Sequence, residues 1–215
     1  DAILQIGFGA FGPTHVQAWQ ALGMAERLII ADPRPEARQT AAALAPRSRQ
    51  VADYRQTLGD CLAVDILTPT DTHAELACAA LAAGKPAFIE KPIVATAAQA
   101  RSVLRQARLS QRVVMGGHYF RFHPKSLELQ RQIGAGALGT LRLLNGRFAG
   151  FKRTRTDSGA LHNDAVHFLD LFCWLVDALP DRVFAVTRDH FARGLDDMTI
   201  LVLEWNDGPV AQIEA

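Results

Sequence analysis

Six residues near the start, Gly7-Phe8-Gly9-Ala10-Phe11-Gly12, constrain this chain more than any others. They follow an apolar run, Ala2-Ile3-Leu4-Gln5-Ile6, and open a segment, Pro13 to Leu22, with the pattern of a helix. A second apolar run, Leu28-Ile29-Ile30-Ala31, ends in Asp32. Strand, glycine turn, helix, strand and terminal acid form the full setting of a dinucleotide-binding turn, which is far more specific than three glycines alone. Gly7 permits the tight turn, Gly9 lets a pyrophosphate approach the backbone, and Gly12 lets helix and strand pack closely. The helix N-terminus offers N–H groups and the positive end of its dipole to phosphates. Phe8, Ala10 and Phe11, between the glycines, are counted with the same cofactor-binding set. Asp32 can accept hydrogen bonds from an adenosine ribose. Arg34, two residues on, can accommodate a 2′-phosphate, so NAD or NADP fits, with Asp32 favouring NAD.

Strands and helices go on alternating after this turn. Pro35 to Leu44 is Ala-rich and helical, Val51-Ala52 a short strand, and Tyr54 to Leu58 a short helix. Ala63 to Leu67 reads as a buried strand, followed by Thr68-Pro69-Thr70-Asp71-Thr72-His73 and a helix from Ala74 to Ala83 closed by Gly84. Ala87-Phe88-Ile89 is a strand ending at Glu90-Lys91-Pro92, Thr96 to Leu109 a helix, and Arg112 to Met115 a strand. Such alternation implies βαβ units and a doubly wound parallel sheet of the Rossmann kind over residues 1–117.

The remainder, residues 118–215, changes character. Helices are expected at Pro124 to Ile133 and Ala165 to Leu175. Strands are expected at Thr140 to Phe148, Val183 to Arg188 and Met198 to Trp205, with Asn206-Asp207-Gly208-Pro209 as a hairpin turn. This is an α+β domain on a largely antiparallel open sheet. The chain stops inside the return strand of that hairpin, so the native protein is expected to continue and the domain to be incomplete here.

Composition removes several function classes. Apolar residues make up 49% and charged residues 21%, with a net charge of +1, so no basic field argues for nucleic acid or an anionic membrane. The apolar runs are strand-length, short of the about 20 residues that span a bilayer. No signal peptide is visible. Cys61, Cys78 and Cys173 are scattered through apolar segments and read as reduced core thiols of a cytoplasmic protein.

Ligands of open α/β sheets bind beyond the carboxyl ends of the strands. The glycine turn, Thr68-Pro69-Thr70 and Glu90-Lys91-Pro92 all fall there. Lys91, between a buried strand and a proline, can hydrogen-bond a substrate hydroxyl and stabilise its developing alkoxide. In isolation the same lysine would read as a solvated loop charge. Asn163, His167 and Asp170 recur at i, i+4 and i+7 and so share one helix face. His167 suits proton transfer near neutral pH, although alone it would read as a satisfied core histidine. His162 and His167 are five apart, the wrong spacing for two ligands on one face, and no metal is expected. Arg153 and Arg155, in the loop Phe151 to Gly159, can meet a carboxylate or phosphate on the substrate, although such loop charges are more commonly just solvated. The other histidines, His15, His73, His118, His123 and His190, read as structural or cofactor-adjacent rather than catalytic; His118 is the best exception, because it follows the last strand of the first domain.

Taken together, these residues resemble the glucose–fructose oxidoreductase and inositol dehydrogenase family of NAD(P)-dependent enzymes. The resemblance rests on Gly7 to Gly12, Thr68-Pro69 with His73, Gly84-Lys85-Pro86 leading into Glu90-Lys91-Pro92, Tyr119-Phe120-Arg121-Phe122-His123-Pro124, and Gly159-Ala160 through His167 and Asp170. It covers nearly the whole chain. It implies that Lys91 and His167 are the catalytic pair, with Asn163 beside them. It also implies that Thr68, Pro69, Thr70, His73, Glu90 and His118 join the cofactor-binding residues, and that Arg121, Asn163, Asp164 and His167 face substrate. Two departures stand out. Many members carry Asp where this chain has Asn163, and members are longer than this chain.

The expected activity is hydride transfer between a nicotinamide cofactor and a secondary alcohol or ketone of a sugar, cyclitol or related polyol. The alternative is a regulatory or interaction module that holds a dinucleotide without turnover. A homodimer or homotetramer through the second domain's sheet is expected, with Leu141, Leu143, Val202 and Trp205 as candidate interface residues.

Overall fold

The computed structural model describes residues 2–150 and 158–215; Arg153 and Arg155 lie outside the described residues. The chain divides into two compact units, Asp1–Gly117 and His118–Ala215.

The first unit alternates β1 (Ala2–Ile6), α1 (Gly12–Ala21), β2 (Leu28–Ala31), α2 (Pro35–Leu44), β3 (Arg49–Val51), β4 (Cys61–Ile66), α3 (Thr70–Ala82), β5 (Ala87–Ile89), α4 (Ala97–Ser110) and β6 (Val114–Gly116). All strand pairs are parallel, in the order β3-β2-β1-β4-β5-β6. Helices cover both faces, which is why β2 reads as an unbroken apolar run and β1 as one interrupted only by Gln5, rather than as alternation. Ile3, Leu28 and Ile30 pack with Val16, Ala37 and Ala41 of α1 and α2. Their sequence neighbours Leu4, Ile6 and Ile29 pack on the other side with Ala77 and Leu81 of α3 and Val103 of α4. Strand order reverses between β1 and β4, so the crevice for a ligand opens beyond the carboxyl ends of those two strands.

Two local readings change. The segment Tyr54 to Leu58 is two 3₁₀ turns, Tyr54–Gln56 and Leu58–Asp60. α3 begins at Thr70, four residues earlier than its apolar periodicity suggests. Thr72 there donates its hydroxyl to the Pro69 carbonyl at 2.7 Å, and its oxygen lies 2.7 Å from the Thr68 hydroxyl. The polar run Thr70 to His73 is thus a helix start whose side chains bond their own backbone, which in sequence looks like a loop.

The second unit comprises a 3₁₀ turn (Tyr119–Phe122), α5 (Pro124–Gly134), β7 (Leu143–Arg147), a π-helical turn (Leu161–Ala165) running into α6 (Val166–Val176), β8 (Arg182–Arg188), β9 (Met198–Glu204) and β10 (Val210–Glu214). Its sheet is ordered β7-β10-β9-β8. The β7–β10 pair is parallel and the β10–β9 and β9–β8 pairs are antiparallel. Leu171, Phe172 and Leu175 of α6 pack on one face, against Leu201, Leu203, Ala211 and Ile213. By period-two alternation the opposite face carries the cross-strand pairs Leu143–Val210, Val202–Phe184 and Ile200–Val186, with Glu204, Gln212 and Glu214 between them across the β9–β10 pair. Trp205 does not belong to that face. It is 6% exposed in the core, and its indole N–H donates to the Ala178 carbonyl at 3.1 Å.

Candidate active site

The glycine turn follows β1 directly. Gly7 has φ +97°, and a Cβ on it would stand 3.0 Å from the Leu67 carbonyl, so this position needs glycine on both counts. A Cβ on Gly9 would meet nothing within 4 Å, which leaves the backbone there open to a ligand. Gly12 has a different reason from the one its motif position suggests. A Cβ there would lie 2.8 Å from Cδ2 of Phe8, so Gly12 clears space for a ring rather than for a strand. Phe8 itself is a core residue, 5% exposed. α1 has no capping side chain and no acidic residue in its first turn. Its N-terminal N–H groups and dipole end therefore suit an anion such as a pyrophosphate.

Asp32 sits at the end of β2 with its carboxylate buried. Oδ2 accepts the Phe8 N–H at 2.9 Å and Arg34 Nη2 at 2.9 Å; Oδ1 accepts Arg34 N and Nε, both at 3.0 Å. Burial pushes this carboxyl up, but the bonds from Arg34 and Phe8 outweigh it and hold it below the usual carboxylate range. Arg34 is half exposed, with 53% side-chain accessibility, and spans the carboxylate as a fork.

His73 takes the structural one of the two readings that its sequence position allowed. The ring is 1% exposed. Its Nε2 lies 2.7 Å from the Thr68 carbonyl and its Nδ1 3.0 Å from that of Pro92. It therefore ties the segment after β4 to the segment after β5, and its polar atoms are occupied by backbone rather than offered to a cofactor. Glu90 also turns inward, as Oε2 accepts the Lys91 N–H at 2.9 Å and Oε1 lies 3.3 Å from His15 Nε2. Lys91 turns toward the glycine turn, with Nζ 5.9 Å from the centre of the Phe11 ring. The Lys91–Pro92 peptide is cis. Gln5 was not foreseen. This fully buried side chain donates to the Gly7 carbonyl at 3.2 Å and braces the turn from below. A polar residue inside an otherwise apolar strand was the available signal.

In the second unit, His167 is 3% exposed. It stacks on Phe120 (centroids 4.8 Å apart, planes at 23°), with the Tyr119 ring edge-on at 5.1 Å and the Phe148 ring at 5.7 Å. The π-helical turn upstream alters the expected face. Its i→i+5 bonding widens the repeat, so a spacing counted on 3.6 residues per turn does not carry from Asn163 to His167. Asn163 Nδ2 donates to Asp164 Oδ1 at 2.9 Å, and Asp164 is 7% exposed. Arg121 is committed to Asp170 as a fork, Nε to Oδ2 at 2.7 Å and Nη2 to Oδ1 at 2.5 Å. That pair ties the 3₁₀ turn to α6 through the Nε/Nη2 edge of the guanidinium. His118 Nε2 lies 4.0 Å from the same carboxylate. Gly159, which opens this segment, lies against Asp196, whose carboxylate accepts the Leu161 N–H at 2.7 Å and the Thr199 hydroxyl at 2.8 Å.

Among the described residues, no group of three or more His, Cys, Asp or Glu side chains is arranged to hold a metal ion. No helix among them is long and apolar enough to cross a membrane.

Fold and turn define a Rossmann-type dinucleotide domain followed by an α+β unit. Residues 2–118 match the oxidoreductase family with an NAD-binding Rossmann fold, and residues 126–215 match the GFO/IDH/MocA C-terminal domain. The chain belongs to this family. It is 29% identical to inositol 2-dehydrogenase 2 of Saccharopolyspora erythraea over 97% of its length, and 31% identical to UDP-N-acetylglucosamine 3-dehydrogenase of Acidithiobacillus ferrooxidans over 98%. It spans 64% and 65% of those proteins, somewhat less than two thirds of their length. Among solved structures, a levoglucosan dehydrogenase in complex with NADH and levoglucosan superposes with a TM-score of 0.90 at 26% identity. That match covers 100% of this chain and 66% of the other.

Proposed function

We propose that the protein is an NAD(P)-dependent dehydrogenase that acts on a secondary alcohol or ketone of a sugar, cyclitol or related polyol. The observation that carries this reading is Lys91. Its ammonium lies over the ring of Phe11 in the glycine turn, at the carboxyl end of β5, where a substrate oxygen beside a bound dinucleotide would need a cation. Gly7, Gly9 and the N-terminus of α1 would hold the pyrophosphate. Asp32 and Arg34 would meet the adenosine ribose, with NAD favoured over NADP. Thr68, Pro69, Thr70 and His118 complete the proposed cofactor-side set. A bound nicotinamide supplies the hydride acceptor or donor. Lys91 hydrogen-bonds the substrate oxygen and stabilises its negative charge. His167 takes the hydroxyl proton in the oxidative direction. Asn163 and Asp164 orient substrate hydroxyls. The thiols of Cys61, Cys78 and Cys173, none in a disulfide, support a cytoplasmic setting.

The test is a screen of polyols and keto-sugars with NAD and NADP, using the full-length protein. Lys91→Ala should lower turnover by about 10²–10³ and His167→Ala by about 10²–10⁴. Cofactor affinity should change little in either variant. Cofactor binding without turnover on any substrate would instead favour a dinucleotide-holding module.

The outer face of the second unit's sheet supports self-association. Leu143 and Phe184 on it are 66% and 64% exposed, beside the half-buried Val202 and Ile200. The ion pairs Arg182–Glu204 and Arg147–Glu214 lie on the same face. A face of this kind, with exposed apolar side chains interspersed with Asn145, Gln212 and the charged pairs, fits a homodimer or homotetramer contact. Light scattering at micromolar concentration should find an oligomer, and Phe184→Glu should shift it towards monomer.

A further inference from the structure

His15, on the first turns of α1, takes no part in the reading above. Its ring lies between two carboxylates, with Nδ1 3.0 Å from Asp65 Oδ2 and Nε2 3.3 Å from Glu90 Oε1. Asp65, on β4, is 1% exposed. Its Oδ2 also accepts the Trp19 indole N–H at 2.9 Å. An ionised carboxylate can only accept, so both ring nitrogens must carry protons to satisfy both neighbours. Burial by itself would lower the pKa of His15, but the bonds to Asp65 and Glu90 and their charges outweigh it and raise it to about 9. Below that pH the ring is an imidazolium; its charge is lost as pH rises through about 9.

The chain of contacts continues to Lys91. The second oxygen of Glu90 holds the Lys91 backbone N–H at 2.9 Å. Glu90 is seated closely, because a Cβ on Gly117 would stand 3.0 Å from its Oε1 and 3.2 Å from its Cα. The charged groups around His15 are Asp65 from β4 and Glu90 from beyond β5, with Lys91 acting on Glu90. The ring of Phe88, 5.8 Å away between centroids, adds no charge.

We propose that His15 is a positioning residue: anchored on Asp65, it locks the Glu90 carboxylate, and Glu90 fixes the backbone from which Lys91 projects. This rests on the reading of Lys91 as the cation that meets the substrate oxygen. A merely structural ion pair would affect stability and cofactor binding. A positioning device acts on turnover, because a displacement of about 1 Å at a reacting group costs up to about 10²-fold.

The experiment compares His15→Gln, Glu90→Gln, the double variant and Lys91→Ala in the full-length protein. The readouts are kcat, KM and the dissociation constant of NADH followed by its fluorescence. His15→Gln and Glu90→Gln should each lower kcat by about 10- to 100-fold with NADH affinity within about twofold. The double variant should lose little more than either single one, since both break one path. If His15→Gln keeps its kcat while Lys91→Ala loses about 10²–10³, the positioning role is overturned and the reading of Lys91 stands. Loss of NADH affinity or of thermal stability with kcat intact overturns it too. If Lys91→Ala keeps its rate, the reading of Lys91 falls and this inference with it. Nitrogen NMR of the wild-type imidazole provides a check without activity. Both ring nitrogens of His15 should stay protonated until about pH 9, and a neutral ring at pH 7.5 would overturn the proposal.

Discussion

Gly159→Ala is a small change with a large expected effect, because the space a methyl group would need belongs to Asp196. A Cβ there would stand 2.5 Å from Cγ and 2.7 Å from the backbone oxygen of that residue, besides overlapping Oδ1. The carboxylate must withdraw. It would then lose the Leu161 N–H at 2.7 Å and the Thr199 hydroxyl at 2.8 Å. The Ala160 N–H, bonded to the Asp196 carbonyl at 2.8 Å, would be strained as well. Thr199 is fully buried, so its stranded hydroxyl costs about 1–3 kcal/mol. Loss of a carboxylate cap at a helix start costs about 0.5–2 kcal/mol. Replacing glycine restricts the unfolded chain and returns about 0.4–1 kcal/mol. The net destabilisation should be about 2–3 kcal/mol. Urea unfolding followed by circular dichroism would read it. In an Asp196→Ala background the side-chain share of the clash is gone, so the cost of Gly159→Ala should fall by half or more. A Gly159→Ala variant within about 0.5 kcal/mol of wild type, the spread of ordinary surface changes, would refute this account of why the π-helical turn begins where it does.

Two further outcomes follow from the site. Arg34→Ala should weaken NADP by about tenfold or more, roughly 1.4 kcal/mol, while NAD changes by less than threefold, as read by calorimetry; equal losses for both would mean that Arg34 only shields Asp32. Asn163→Asp sets a second carboxylate beside Asp164 Oδ1, where the amide now lies at 2.9 Å, so one of the two acids should titrate well above the usual carboxylate range; a pH–rate profile identical to wild type would contradict that coupling.

Which parts of this were readable in the sequence follows from whether the cause is local. β2, β5 and the glycine turn are specified by runs of neighbouring residues, and α2 lies at Pro35–Leu44 as its Ala-rich stretch suggests. Glycine at position 12 was legible as a motif position but not as the space under Phe8. That depends on a ring reaching back across the turn, which a pattern of spacings does not encode. The π-helical turn was hidden for a similar reason. The residues Leu161 to Ala165 carry no composition that marks i→i+5 bonding, and the Asp196 that caps their start is 35 residues away from Leu161 in sequence. In a linear reading Trp205 groups with Val202 as an interface candidate, yet it continues the alternation of the buried Thr199, Leu201 and Leu203 and so falls on the core face, opposite Val202.

The Glu90-Lys91 pair shows why a motif can be recognised before its parts are understood. Both residues lie just past the end of β5, yet one motif serves two surroundings. Lys91 turns outward to the glycine turn, while Glu90 turns inward to His15 and Gly117. In a linear reading both residues count as cofactor-facing, because their shared signal is position after a buried strand. What separates them is the partner each finds. His15 is 75 residues from Glu90 and 50 from Asp65, and only the β1-β4-β5 order of the sheet brings the three together. The polar Asp65 inside an apolar strand was the one local sign that such a partner had to exist, since a carboxylate of that burial needs compensation.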